Sequence, residues 1–212
     1  MKKKDRVQHI INELDGLYPI AECSLTYQDP LQLLIATQLS AQCTDARVNI
    51  VTKDLFVKYK TVQDFAEAVI EELEEDIRST GFYKNKARNI IACCRKIISD
   101  FKGVVPDSMD KLLTLPGVGR KTANLVLGDI YGIPGIVVDT HAKRLSNRLG
   151  LTKEHDPVKI EFDLMKIIPK NIWSRFSHQL VLHGRAICKA RKPDCELCTL
   201  REYCFFGKGS LE

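Results

Sequence analysis

No stretch of the 212-residue sequence approaches the roughly 20 consecutive apolar residues that a membrane-spanning helix needs. The opening Met1-Lys2-Lys3-Lys4-Asp5-Arg6 carries the charge of an export signal, but no apolar run follows it. Val7, Ile10, Ile11, Leu14 and Leu17 come next at helical spacing, with polar residues between them. A cytoplasmic protein without a membrane partner is expected. Repeats, low-complexity tracts and flexible linkers are also missing, so any domain boundary must be a packing boundary rather than a tether. Strand-forming segments are scarce: the best candidate, Ile136-Val137-Val138, has no partner of similar character, and a lone strand does not persist. Charge is modest too. At a net +5, any affinity for nucleic acid must come from where the Lys and Arg residues sit.

What is present is an ordinary globular balance, 44% hydrophobic and 28% charged, enough to build a core. Asp29-Pro30 and Asp156-Pro157 each place a capping side chain before a proline suited to the first helical position. After Asp156, the residues Val158, Phe162, Met165 and Ile168 follow at three- and four-residue steps until Pro169. Segments near 31–40, 45–58, 62–78, 86–100, 108–114, 120–131, 142–149 and 172–187 read as further helices, and the fold class expected is all-α. Asp64 to Asp76 carries seven acidic residues and no basic one, a face that would repel a phosphate backbone.

Eight cysteines could signal a secreted disulfide scaffold, but the chain is long and Cys93 and Cys94 are neighbours, which favours reduced thiols. Four of them fall within 17 residues as Cys188-x6-Cys195-x2-Cys198-x5-Cys204, close enough for one loop to aim four thiolates at a common centre. Zinc modules usually pair two C-x2-C knuckles, whereas this cluster has one such pair flanked by single cysteines. Soft thiolates suit both zinc and an iron-sulfur cube, and the spacing leaves both open while favouring the cube. Arg185, Lys189, Arg191, Lys192 and Arg201 stand in or beside the loop. They are either a solvated charged surface or, once ligation orders the loop, a grip for phosphate.

Leu112, Leu113 and Leu115 end one helix, Pro116-Gly117-Val118-Gly119 makes a tight turn, and Ala123, Val126, Leu127 and Ile130 mark the buried face of the next. This is a helix-hairpin-helix pattern. Gly117 and Gly119 would allow positive φ and close approach of another backbone, while the amides opening the second helix can hold a phosphate. A plain helical corner is the alternative. Lys121 lies in the first turn of the second helix beside Arg120, where the dipole and the neighbouring cation both disfavour a charged ammonium. It is an ordinary exposed lysine or a nucleophile of the kind that forms Schiff bases. Asp139, in Val138-Asp139-Thr140-His141, precedes a helix and suits an N-cap, a catalytic carboxylate, or both.

Leu115-Pro116-Gly117-Val118-Gly119-Arg120-Lys121-Thr122-Ala123, Val138-Asp139-Thr140-His141 and the four-cysteine spacing together resemble the endonuclease III family. The likeness runs nearly the whole chain, including Leu39-Ser40-Ala41-Gln42-Cys43-Thr44-Asp45 and Thr80-Gly81-Phe82-Tyr83. The resemblance implies a two-lobed, all-helical fold. One lobe is a six-helix barrel over residues 23–133, with the hairpin at about 108–128. The other, residues 1–22 and 134–212, holds a [4Fe-4S] cluster on Cys188, Cys195, Cys198 and Cys204 in the loop 188–204, and the active site would lie between the two. It further implies a monomeric, nucleoid-associated glycosylase and abasic-site lyase acting on duplex DNA with a damaged pyrimidine or an abasic site. Lys121 would attack C1′ of a flipped nucleotide, and Asp139 would accept a proton or stabilise charge on the sugar.

By the same resemblance, Gln42 would fill the gap left by the flipped base, and Phe82 would be a wedge in the opposite strand. Phe82 is bulkier than the aliphatic residue usual at that place, and a core Phe is the other reading. Cys43 replaces a smaller residue of the family pattern. His141 would contact phosphate or serve as a hydrogen-bonded structural histidine, while Trp173 and Tyr83 are assigned to the core. Lys121 and the chain end at Glu212 weigh against an adenine glycosylase of the same superfamily. A DNA-binding module without catalysis and a small redox protein are the rivals of other classes.

Overall fold

The computed structural model describes residues 2–209; Met1 and residues 210–212, including the end at Glu212, lie outside the described residues. All regular structure among the described residues is helical, and no helix there is long and apolar enough to cross a membrane. The contacts divide the chain into two units. One is Cys23–Ile133; the other joins the N-terminal residues up to Glu22 with the chain from Pro134 onward.

The Cys23–Ile133 unit contains α2 (Pro30–Leu39), α3 (Asp45–Lys58), α4 (Val62–Ala66), α5 (Ile70–Asp76), α6 (Tyr83–Phe101), α7 (Met109–Leu112) and α8 (Arg120–Tyr131), with a 3₁₀ turn at Arg78–Thr80. Asp29 caps α2 as its residue type demands, accepting the Gln32 N–H, with Pro30 at the first helical position. Every residue of α2 from Leu33 to Leu39 is buried, which makes it the unit's central helix. The stretch 62–78, read from the sequence as one helix, is interrupted. A capping box between Thr61 and Asp64 starts α4, and Arg95 of α6 donates its Nε–H to the Ala66 carbonyl at 2.9 Å. That donor, from a distant part of the chain, satisfies a carbonyl that α4 would otherwise have bonded by continuing, and Val69 then turns extended before α5. Helix α6 begins three residues earlier than its apolar pattern, at Tyr83.

The other unit contains α1 (Lys3–Leu17), α9 (Thr140–Arg148), α10 (Pro157–Ile167) and α11 (Trp173–Ala186), with 3₁₀ turns at Lys170–Ile172 and Thr199–Tyr203. Ile10, Leu14, Leu145, Leu164, Phe176 and Leu180 form its core. Helix α1 joins that core against α11 although more than 100 residues separate them in sequence. Arg6 helps to hold it there: the buried guanidinium donates to the carbonyls of Leu149, Gly150 and Tyr203 and lies 4.5 Å from the centroid of Phe205. Residues Ile136–Val138 are buried but form no strand; the Val137 N–H instead donates to Ser177 Oγ at 2.9 Å. Trp173 is a core residue as read, its Nε1–H donating to the Ile168 carbonyl, whereas Tyr83 is half-buried under Arg78.

Candidate functional site

Leu115 and Val118 anchor the turn between α7 and α8 by burial, and the Val118 N–H closes it on the Leu115 carbonyl at 3.1 Å. Gly117 has φ +75°, and a Cβ there would stand 2.7 Å from Gln38 Oε1, so both conformation and space require glycine. Gly119 differs from its expected role. Its backbone is extended, with φ −103°, so only Gly117 supplies a positive φ; what Gly119 contributes is open space, with nothing within 4 Å of a Cβ. No side chain caps α8 at Gly119, and the exposed Lys121 is the second residue of that helix.

Gln42 and Phe82 share a conformational peculiarity. Both are exposed, and they are two of the three non-glycine residues with positive φ among those described, at 53° and 49°. Such backbones cost roughly 1–3 kcal/mol and persist only where the surroundings over-determine them. Phe82 is 62% exposed, which removes the core reading. Both loops lead back to Lys86, which the sequence reading passed over. Its ammonium is buried and donates to the carbonyls of Leu39 and Thr80, each at 2.8 Å. Burial pushes its pKa below the ordinary lysine value, with Cys43 nearby opposing the shift. The signal was the helical period: Lys86 shares the stripe of Ile90, Cys93 and Ile97, where a lysine must find acceptors.

In the second unit Asp139 is the N-cap of α9, with Oδ1 accepting the Ala142 N–H at 2.7 Å. Arg144 donates to Nδ1 of His141 at 3.1 Å, so the ring proton belongs on Nε2, and burial holds the pKa of His141 below its usual value, partly opposed by Asp139. His141 thus has the partner that a structural histidine requires. Lys121 and Asp139 belong to different units.

The four cysteines Cys188, Cys195, Cys198 and Cys204 are free thiols lining one pocket of about 370 Å³, counted to its open mouth. Arg144 and Arg148, one turn apart on α9, pin the loop from beneath: Arg144 donates to the Cys188 carbonyl, and Arg148 to the carbonyls of Lys189 and Ala190. Donors also reach the sulfurs. Arg148 Nη1 lies 3.3 Å from Cys188 Sγ, and the Gly207 N–H donates to Cys204 Sγ at 3.3 Å. His183 Nε2 is 3.4 Å from Cys198 Sγ while Tyr18 Oη is 3.3 Å from Nδ1; one tautomer, with Nε2 protonated and Tyr18 donating, satisfies both contacts. Burial drives the His183 pKa down to about 4 and the Cys198 thiol up to about 11, so the thiolate form depends on a bound cation to offset desolvation. No three His, Cys, Asp or Glu side chains among the described residues converge on a single ion, yet the four thiols line one cavity with N–H donors at three of them. That donor set fits a multi-metal thiolate cluster. Of the loop's cations, Lys189 is paired with Asp194 at 2.9 Å, and Arg191 and Lys192 are exposed.

A family model described as HhH-GPD superfamily base excision DNA repair protein matches residues 35–170, and one described as the iron-sulfur binding domain of endonuclease III matches residues 188–204. The endonuclease III of Synechocystis sp. (strain ATCC 27184 / PCC 6803 / Kazusa) is 57% identical over 203 residues, covering 95% of this chain and 93% of the relative. Among solved structures, a non-covalent endonuclease III–DNA complex superposes with a TM-score of 0.95 at 48% identity, covering 99% of this chain and 98% of the other. A trapped endonuclease III–DNA covalent intermediate, an estranged-adenine complex, gives 0.95 at 47% identity with all of both chains covered.

Proposed function

The chain belongs to the endonuclease III family of HhH-GPD base excision DNA repair proteins, and on that premise we propose that Lys121 and Asp139 are its catalytic pair, acting on damaged pyrimidines and abasic sites in duplex DNA. It is a DNA glycosylase and abasic-site lyase, and it carries a [4Fe-4S] cluster. The observation that carries the site reading is the position of Lys121, exposed on the first turn of α8, immediately after a turn that Gly119 leaves open to an approaching backbone. A phosphate held by the α8 amides would bring the sugar of the flipped nucleotide to the Lys121 amine. The neutral amine attacks C1′, and the base departs with the bonding electron pair and takes up a proton. The C1′–O4′ bond of the resulting aminal then breaks as the nitrogen gives up a proton and O4′ gains one, and the open-chain Schiff base acidifies the adjacent sugar carbon. Loss of that carbon's proton then expels the 3′ phosphate and cuts the strand. Asp139, one oxygen of which is engaged in capping, stabilises the positive charge that develops on the sugar.

Cys188, Cys195, Cys198 and Cys204 hold the cluster, whose iron-thiolate bonds cross-link the loop 188–204. Arg191 and Lys192, with Lys189 weakened by its ion pair, then offer phosphate contacts from an ordered backbone, while Gln42 and Phe82 enter the base stack. The protein works on cytoplasmic, nucleoid-associated DNA as a monomer. Borohydride trapping tests the chemistry. Lys121→Gln should abolish both the covalent complex with abasic DNA and strand cleavage, while still binding lesion duplex; trapping at the wild-type level would assign the nucleophile to another amine.

A further inference from the structure

We propose that Lys86 is a positioning residue that sets Gln42 and Phe82 together for entry into the base stack, because its ammonium joins the carbonyls from which both of their loops depart. The inference rests on reading Gln42 and Phe82 as inserting residues. Leu39 is the last residue of α2, and Gln42 follows it by three positions; Thr80 ends the 3₁₀ turn, and Phe82 follows it by two. Lys86 Nζ bonds both carbonyls at 2.8 Å, and its own main-chain N–H donates to the Phe82 carbonyl at 3.1 Å. One residue thus fixes three points of two loops that are about 40 positions apart in sequence.

A helix end can be satisfied in cheaper ways than by a lysine that is 5% exposed and whose ammonium bonds neutral carbonyls. An apolar residue would fill a similar volume without the desolvation cost of the ammonium, but it would leave the buried Leu39 and Thr80 carbonyls without this donor. A single ammonium, with three N–H donors on one atom, holds two carbonyls from different elements, so the separation of the two loops is set by hydrogen bonds from Lys86 Nζ. Beyond each anchor lies an exposed residue forced to positive φ, Gln42 on one side and Phe82 on the other. Two strained residues held in one register are pre-organised to enter a duplex together; loops free to drift would have to be ordered as the base leaves the stack.

The test uses the cluster-loaded enzyme and a duplex bearing a reduced abasic analogue opposite 2-aminopurine, whose fluorescence rises on unstacking. Gln42→Ala and Phe82→Ala should each lower that rise, and Lys86→Met should lower it with both loops otherwise intact. Single-turnover cleavage of a paired lesion should fall about tenfold in Lys86→Met, the scale of one charge-assisted hydrogen bond. Borohydride trapping on a single-stranded abasic oligonucleotide, which needs no insertion, should be unchanged. In a Gln42→Ala/Phe82→Ala background Lys86→Met should add nothing, since its effect passes through those residues. An equal loss in that background, or loss of single-strand trapping, makes Lys86 a general stabiliser and overturns the proposal, as does an undiminished fluorescence rise in Lys86→Met. If instead Gln42→Ala and Phe82→Ala leave the rise intact, it is the reading of those two residues that fails. Should Lys86→Met not fold, Lys86→Gln, which keeps an amide donor at shorter reach, is put through the same comparison with a smaller loss expected.

Discussion

Oδ1 of Asp139 accepts the main-chain N–H of Ala142 at 2.7 Å, so the carboxylate proposed to stabilise the sugar cation also caps its own helix. The two roles separate by substitution. Asn caps a helix about as well as Asp, whereas Ala forfeits about 1 kcal/mol. Denaturation should find Asp139→Asn as stable as the wild type and Asp139→Ala weaker by about that amount. Both should lose excision of an intact damaged base, while Asp139→Asn still traps at preformed abasic sites, where the aldehyde needs only the Lys121 amine. Equal excision by Asp139→Asn and the wild type would confine Asp139 to the cap.

Gly117 and Gly119 should respond differently to alanine. At Gly117 the added Cβ meets both an αL backbone and the Gln38 amide oxygen, a strain of roughly 1–3 kcal/mol that urea denaturation should read as a lower midpoint. At Gly119 the backbone is already extended and the space empty, so the fold should tolerate alanine. If phosphate approaches there, duplex affinity should fall nonetheless; unchanged affinity in Gly119→Ala would move the contact elsewhere.

The cations of the cysteine loop are not equivalent. Arg191→Glu or Lys192→Glu should raise the Kd for undamaged duplex and reduce the slope of log K against log salt by about one phosphate contact each. Lys189 is partly neutralised by Asp194, so Lys189→Glu should change the slope less. Fluorescence anisotropy across a salt series measures all three, and a slope set by Lys189 alone would reverse the ranking.

The holoprotein should be yellow-brown, with iron and sulfide in equal amounts. Arg148→Met removes the donor to Cys188 Sγ and the two bonds that hold Lys189 and Ala190, so its visible absorbance should decay faster under a chelator while α9 stays helical by circular dichroism. Stoichiometric zinc without iron in anaerobically prepared protein would contradict the cluster assignment outright.

Local chemistry was readable from the sequence alone because it depends on neighbours along the chain. Asp29 and Asp156 cap helices opened by proline, Asp139 caps the helix that follows it, and the spacing of Cys188 to Cys204 brings four thiols to one pocket. Helical periodicity likewise located most of the helices. Tertiary structure decided what distant partners control. Helix α4 stops where Arg95 takes its carbonyl, although the acidic stretch beyond it continues to favour helix. Phe82, equally apolar in a core or a wedge, is held out in solvent because the turn before α6 forces it to positive φ. Lys86, one polar letter in an apolar stripe, is satisfied only because α2 and the 3₁₀ turn deliver carbonyls to it. A side chain's residue type limits the bonds it can make; which of them form depends on groups brought close by packing of the whole unit.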